Sequence, residues 1–227
     1  MASRCLVLDL ETVNPHDGAE EKPTVSEHQI VTAGMLWLND DLSLHKASAL
    51  SVRDGRTESD VIEAVIGELD DDTVLVTWNG RAFDVPVLVY RCMHLKIPCP
   101  WFFKKGVDNR YNRTGHYDLR DHMNFVGAAW GIDLDRAAHL VGLPGKLGTD
   151  GSDVSNLYRA NRINKIETYC VTDVLQTAAV YVRWLFVMGV VSPEELELFH
   201  MSIRNYQPTQ GTVQAAFDLI NSEVSIF

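Results

Sequence analysis

Asp9 and Glu11, in LDLE, stand two residues apart at the end of an apolar run. Side chains on a strand alternate with a period of two, so both carboxylates point to one face and their oxygens can share a hard cation. In a chain this rich in Asp and Glu, a DxE triplet is expected about once by chance, so the pair alone decides nothing. NGRAFD, from Asn79 to Asp84, carries far more weight, because an NGxxFD match is expected only about 0.002 times. It falls between an apolar run and a helical pattern, where Gly80 suits a tight turn and Asp84 stands at the helix entrance. YCVTD, Tyr169 to Asp173, sets a phenol and a carboxylate one helical turn apart on one face. The same spacing recurs at Tyr117 and Asp121, and about 0.6 such matches are expected by chance. Tyr169 and Asp173 are preferred because an ionised Asp in a long, mostly apolar helix needs a partner such as a metal.

The elements that must position these groups can be read from periodicity. Residues 4 to 11 are apolar on both faces, as in a central strand. Residues 29–38 and 43–52 read as two strands joined by a turn at Asn39, Asp40 and Asp41. Val61, Ile62, Val65, Ile66 and Leu69 recur at helical spacing, and TVLVTW (73–78) reads as a fourth strand returning parallel to the first. Residues 84–95 read as a helix with Pro86 in its first turn. The stretch 98–115 has a loop composition, with Lys104, Lys105, Arg110 and Arg113 among Trp101, Phe102, Phe103 and Tyr111. Helical patterns then dominate, at about 119–129, 133–142, 153–161, 163–188, 193–204 and 211–222. The expected fold class is α/β, a mixed sheet flanked by helices with a helical C-terminal half. Sites in such sheets collect at the carboxyl ends of the strands, where Asp9 and Glu11 fall.

The chain has 227 residues and is 46% hydrophobic, which argues against disorder. No run approaches the ~18–20 consecutive apolar residues of a membrane span, and a carboxylate at Asp9 interrupts any signal-peptide reading of the start. Four scattered cysteines without a CxxC pair suggest neither a disulfide scaffold nor a zinc ribbon, so a reducing cytoplasm is the expected location. The net charge of −11 speaks against nucleic acid at first sight. Its distribution points the other way, because the middle of the chain is cationic: residues 1–90 carry −11, 91–165 carry +5 and 166–227 carry −5.

In order, LDLE, NGRAFDVPVL and YCVTDV resemble the three exonuclease motifs of the DEDD superfamily of 3′-to-5′ exonucleases, in its tyrosine variant. HYDLRD (116–121), GLPGKLGTDGSDV (142–154) and YCVTDVLQT (169–177) are similar, more closely, to the family of predicted exonucleases related to the proofreading domain of family B DNA polymerases. The resemblance runs from about residue 4 to 190 and leaves residues from about 206 onward unmatched. It implies an RNase H-like exonuclease domain over 1–205, with 206–227 a helical extension of it. It also implies hydrolysis of terminal phosphodiester bonds, releasing nucleoside monophosphates, with two divalent cations. Asp9, Glu11, Asp84 and Asp173 would then be the acidic set and Tyr169 the residue that orients the attacking water. Oxygen-only ligation suits Mg²⁺ or Mn²⁺ rather than zinc.

The expected partner is a single-stranded nucleic acid 3′ end, DNA favoured, with replication or repair proteins as further partners and no membrane. A strand end drawn toward acids needs cations at the rim, for which Lys104, Lys105, Arg110, Arg113 and Lys146 are candidates. Asn79 and Phe83 join them as substrate contacts, with Phe83 packing beside Asp84. His116, Asp118 and Asp121 are expected to form a structural network. Two alternatives remain open at this point: an exoribonuclease of the same superfamily, and a noncatalytic polymerase-accessory subunit that binds nucleic acid.

Overall fold

The computed structural model describes residues 4–14, 23–107, 109, 111, 114–129, 131–148 and 151–223. Five strands form one sheet: β1 (Arg4–Val13), β2 (Gln29–Leu38), β3 (Leu44–Ser51), β4 (Thr73–Thr77) and β5 (His116–Asp118). Their spatial order is β3-β2-β1-β4-β5. The meander β1–β2–β3 is antiparallel, whereas β4 lies parallel to β1 and β5 parallel to β4. Helix α1 (Glu58–Gly67) makes the crossover to β4, starting from a reciprocal cap between Thr57 and Asp60. Helix α2 (Asp84–Leu95) follows β4. With the long helices on the C-terminal side, this arrangement is consistent with an RNase H-like α/β fold, as the strand and helix periodicities anticipate.

Both sheet faces are covered. On one, Leu6, Leu8 and Leu10 pack with α1 and α2 residues such as Ile62, Val65 and Leu88. On the other, Cys5, Val7, Leu36 and Val76 pack against helix α7 (Ile163–Val187). By length and apolarity α7 alone among the described helices matches a membrane span, but most of that stretch is buried inside the protein, as befits a core helix. Helices α8 (Pro193–Asn205) and α9 (Gly211–Glu223) extend this second core through Phe199, Ile203, Val213, Phe217 and Ile220.

The C-terminal helices also answer the open ladder of the edge strand β3. Ser202 Oγ accepts from Leu44 N at 2.7 Å, Tyr206 Oη from Ala47 N at 2.9 Å, and Gln210 Oε1 from Ala49 N at 3.0 Å. Gln210 Nε2 donates back to the Ala49 carbonyl at 3.2 Å. Side chains thereby satisfy alternate backbone groups that would otherwise template another strand.

Two local expectations need correction. The helix expected over 119–129 stops after one turn, as α4 (Leu119–Met123), because Phe125 and Val126 take left-handed backbone at φ 51° and 57°. The stretch 98–115, read as loop, contains the short helix α3 (Pro100–Lys104), with Pro100 in its first turn and Trp101 buried beneath it. The remaining helices are α5 (Leu134–Leu140) and α6 (Val154–Arg159).

One close approach sets the depth of α7. Gly34 on β2 pairs with Asp9 on β1, and a Cβ at Gly34 would lie 2.8 Å from Cys170 Sγ and 3.0 Å from the Cys170 carbonyl oxygen. Only hydrogen at this position lets α7 rest directly on the strand pair. Gly34→Ala should therefore destabilise the protein by about 1–3 kcal/mol. Thermal unfolding will show a lower Tm that adding Cys170→Ala recovers only in part, because the backbone contact remains; an unchanged Tm in the single variant would mean that α7 moves freely.

Candidate active site

At the carboxyl ends of β1 and β4, Asp9, Glu11, Asn79, Phe83, Asp84, Tyr169 and Asp173 line one cleft of about 260 Å³. Strand β1 supplies the first two acids. Its register against β2 shifts between Glu11 and Thr12, a bulge immediately after the second acid. Asp9 and Glu11 are hydrogen-bonded to each other. One oxygen from each, with Cys170 Sγ, forms a group of potential metal ligands all within 4.8 Å of one another.

Asp84 does not cap its own helix. The N-cap of α2 is Phe83, whose side chain makes no cap bond, and Asp84 Oδ1 instead accepts from Leu10 N at 2.9 Å. That bond ties the NGRAFD turn to the strand between the two acids. Asn79 adopts left-handed backbone at φ 65°. Gly80 is required for a different reason: a Cβ there would collide with Thr77, whose Oγ1 accepts from Gly80 N at 3.1 Å. Asp118 holds the turn from below, with Oδ1 accepting from Asn79 N at 3.1 Å and Oδ2 from Arg81 N at 2.9 Å, while Oδ1 also caps α4 through Asp121 N. His116 Nε2 pairs with Thr77 Oγ1 at 2.8 Å, and burial pushes its pKa down to about 3, so it is neutral. The structural network expected for His116, Asp118 and Asp121 is thus one that shapes NGRAFD.

Helix α7 brings the third segment. Cys170 donates from Sγ to Asp9 Oδ2 at 3.3 Å, which fixes the helix against β1. One residue earlier, the Tyr169 hydroxyl donates to Asp173, and both face the cleft. The decoy pair is separated from it: Tyr117 points into the core and accepts from Trp184 Nε1 at 2.9 Å.

The electrostatics are dominated by burial. Glu11 and Asp84 are 8% and 4% exposed. Among the described residues, Asp9, Glu11 and Asp84 have no Lys, Arg or His within 4.0 Å to offset their charge. Desolvation, then repulsion from Asp84 and Asp173, holds Asp9 well above the usual carboxylate range. Desolvation, then Asp9 and Asp173, does the same to Glu11. Asp84 is pushed up to about 7, chiefly by burial, although its bond from Leu10 N opposes the shift. Burial and the same acids raise the Cys170 thiol and the Tyr169 phenol, so both stay protonated and act as donors. Oxygen-rich and with no basic side chain among the described residues within 4.0 Å of Asp9, Glu11 or Asp84, the site fits a hard divalent cation, with Cys170 as a supporting thiol rather than a thiolate ligand.

The expected cationic rim is only partly here. Lys105 Nζ donates to the Asp71 carbonyl, at the amino end of β4. Val7 pairs with Val76, so Asp9 stands past the opposite end of that strand, on the order of 15–20 Å away along its axis. The chain turns away there because α3 packs Trp101 and Phe102 under α2, which places Lys104 and Lys105 at the wrong end of the sheet for a rim. Phe103 and Tyr111 are exposed. Arg110 and Arg113 lie outside the described residues. Lys146 is exposed, and its backbone N donates to Asp135 Oδ1 at 2.7 Å. The next residue, Leu147, lines a cavity of about 290 Å³ with Lys165, Thr168, Tyr169 and Asp173. Sequence reasoning missed Cys170 and Arg120, although each sat within a motif already singled out, YCVTD and HYDLRD. Arg120 and Asp133 complete the wall of the cleft.

The sequence matches, over residues 23–218, the family described as "Predicted 3'-5' exonuclease related to the exonuclease domain of PolB". The chain belongs to this family. The matched span reaches residue 218, well beyond the limit suggested by the motifs, and so takes in α8 and most of α9; it begins after β1. No curated protein matches the chain. Among solved structures, a family B DNA polymerase from the hyperthermophilic archaeon Pyrobaculum calidifontis is similar with a TM-score of 0.60 at 18% identity. The similarity covers 95% of this chain and 27% of the polymerase, so this family member shares the fold of about a quarter of that enzyme.

The raised carboxylates fix the sign of a pH effect. Asp84 keeps its proton in the folded state up to about pH 7, whereas the unfolded chain releases it near 3.8. Its stabilising contribution is full below 3.8 and lost as pH rises through about 7. In EDTA, Tm should fall by roughly 5–10 °C between pH 5 and 8, and Asp84→Asn, which keeps the acceptor for Leu10 N, should flatten that fall. Adding Mn²⁺ at pH 8 should raise the wild-type Tm and leave the Asp84→Asn value nearer its metal-free level. A rising Tm from pH 5 to 8 in EDTA would show that the acids are ionised without a cation.

Proposed function

We propose that the protein is a metal-dependent 3′-to-5′ exonuclease of the tyrosine-variant DEDD type, removing nucleoside monophosphates from single-stranded nucleic acid, with DNA the favoured substrate. The reading is carried by one observation: half-buried Asp9 and buried Glu11 and Asp84 line one cleft with Tyr169 and Asp173 and have, among the described residues, no Lys, Arg or His within 4.0 Å, in a chain of an exonuclease family. Asp9, Glu11, Asp84 and Asp173 would hold two divalent cations, Mg²⁺ or Mn²⁺, which when bound supply a water of lowered pKa and charge neutralisation for the in-line displacement.

The protein's own groups do the rest. Asp9 and Glu11 are presented on β1 ahead of its bulge, and Asp84 is tied to the strand between them by Leu10 N. The acids must lose their protons as cations bind, so binding weakens as pH falls. Tyr169, kept neutral by burial and by the acids around it, directs its proton to Asp173, so its hydroxyl oxygen accepts from the attacking water and orients it. Asn79, pinned by Asp118, and Phe83, edge-on to His28 at 5.0 Å, form the wall against which the terminal nucleotide rests.

The test is shortening of 5′-labelled single-stranded DNA and RNA with Mg²⁺, Mn²⁺ or EDTA. Stepwise loss from the 3′ end that needs metal is expected, faster on DNA, with Asp9→Ala slowed on the order of a thousandfold. Binding without shortening would instead mark an accessory subunit, and loss confined to RNA an exoribonuclease. Tyr169→Phe should lower kcat about tenfold while KM stays within about twofold, since the bond that orients the water is removed while the carboxylates that would hold the metal remain. An unchanged kcat would remove Tyr169 from the chemistry.

A further inference from the structure

Arg120, in the first turn of α4, is the arginine that shares the cleft with the candidate acids. Its guanidinium is anchored on two sides, by Nη1 donating to Asn79 Oδ1 at 2.7 Å and Nε donating to the Ile132 carbonyl at 3.2 Å. Nη2 makes no hydrogen bond to any described residue, and no described carboxylate lies within 4.0 Å of the group. The acids nearby are otherwise engaged: Asp118 accepts three backbone N–H bonds, and Asp133 accepts from Arg136 N and pairs with Arg136 Nη1. Asp121 stands 3.9 Å from Arg81 Nε. A half-buried, pre-oriented guanidinium with its outer N–H edge unused is built to receive an external anion.

The position of Arg120 says which anion. It stands, with Asn79, between the cleft and a second cavity of about 420 Å³ that Arg81, Asn124 and Gly127 also line. A strand with a free 3′ hydroxyl has its scissile phosphate at the acids, and the terminal nucleotide beyond that bond carries no other phosphate. An anion met away from the acids must therefore come from the 5′ side. We infer that Arg120 binds the phosphate immediately upstream of the scissile one, so that the strand approaches through the cavity beside the NGRAFD turn. This inference rests on the exonuclease reading above and adds the direction of approach.

Single-stranded TpT has only the scissile phosphate, whereas TpTpT adds the upstream one. With Mn²⁺, wild-type protein should show a lower KM for TpTpT than for TpT. Arg120→Gln should raise KM for TpTpT about tenfold more than it raises KM for TpT, because a charge-assisted bond to the second phosphate is lost only where that phosphate exists. Arg120→Lys, which keeps the charge but not the fork, should fall between and guards against a Gln variant that folds poorly. Equal losses on both substrates would reassign Arg120 to the scissile phosphate or to the fold, and no loss on either would return it to structure; each overturns the inference while leaving the exonuclease reading intact. Failure of wild-type protein to cut either substrate or a longer strand would overturn both.

Discussion

Carboxylates drawn out of water and set side by side repel one another, and no described Lys, Arg or His lies within 4.0 Å of Asp9, Glu11 or Asp84. The rest of the structure is organised to keep them there despite that cost. Parallel pairing of β1 with β4 delivers both strand ends to one edge, the Leu10 N bond holds Asp84 at the level of its neighbours, and the Gly34 gap lets α7 descend until Cys170 meets Asp9. Such strain persists only where surrounding contacts over-determine it, and the two large cores on either face of the sheet supply those contacts.

The polar groups around the acids divide into those that shape and those that face the cleft. Asp118, His116 and Thr77 direct their bonding capacity to the backbone of the NGRAFD turn and to each other, which explains why a buried aspartate and a neutral histidine sit two strands from Asp9 and Glu11 without joining them. Tyr169 and Arg120 face the cleft, the phenol donating to Asp173 and the guanidinium with Nη2 bonded to no described residue. A phenol beside carboxylates and a guanidinium at the cleft edge supply hydrogen-bond donors to a site otherwise made of acceptors, a distribution suited to an anionic substrate bridged by cations.

The C-terminal helices belong to the same arrangement. They complete the core behind α7, and Ser202, Tyr206 and Gln210 close the edge of β3. Thr168 Oγ1, on the turn of α7 that carries Tyr169, donates to the Thr212 carbonyl at 3.3 Å, and Thr212 Oγ1 returns a bond to Glu167 at 3.0 Å. The helix that presents Tyr169 is thus braced from behind by α9. The family match also extends to residue 218, within α9.

Much was legible in the chain itself. Strand periodicity placed Asp9 and Glu11 on one face, NGRAFD announced Asp84, and the i, i+4 spacing in YCVTD set Tyr169 beside Asp173, because each depends only on local geometry over a few residues. The α2 bounds and the β2 strand follow for the same reason. Tertiary structure alone decided where the basic and aromatic stretch goes: composition at 98–115 is equally compatible with either end of the sheet, and the burial of Trp101 under α2 carries Lys104 and Lys105 to the end away from the acids. It alone also decided that Cys170 meets Asp9 and that Arg120 reaches the cleft. Their neighbours in sequence are ordinary, and their roles arise from long-range distances, Cys170 to Asp9 and Arg120 to Asn79, which no local pattern encodes because they are set by how closely a helix can settle on a sheet.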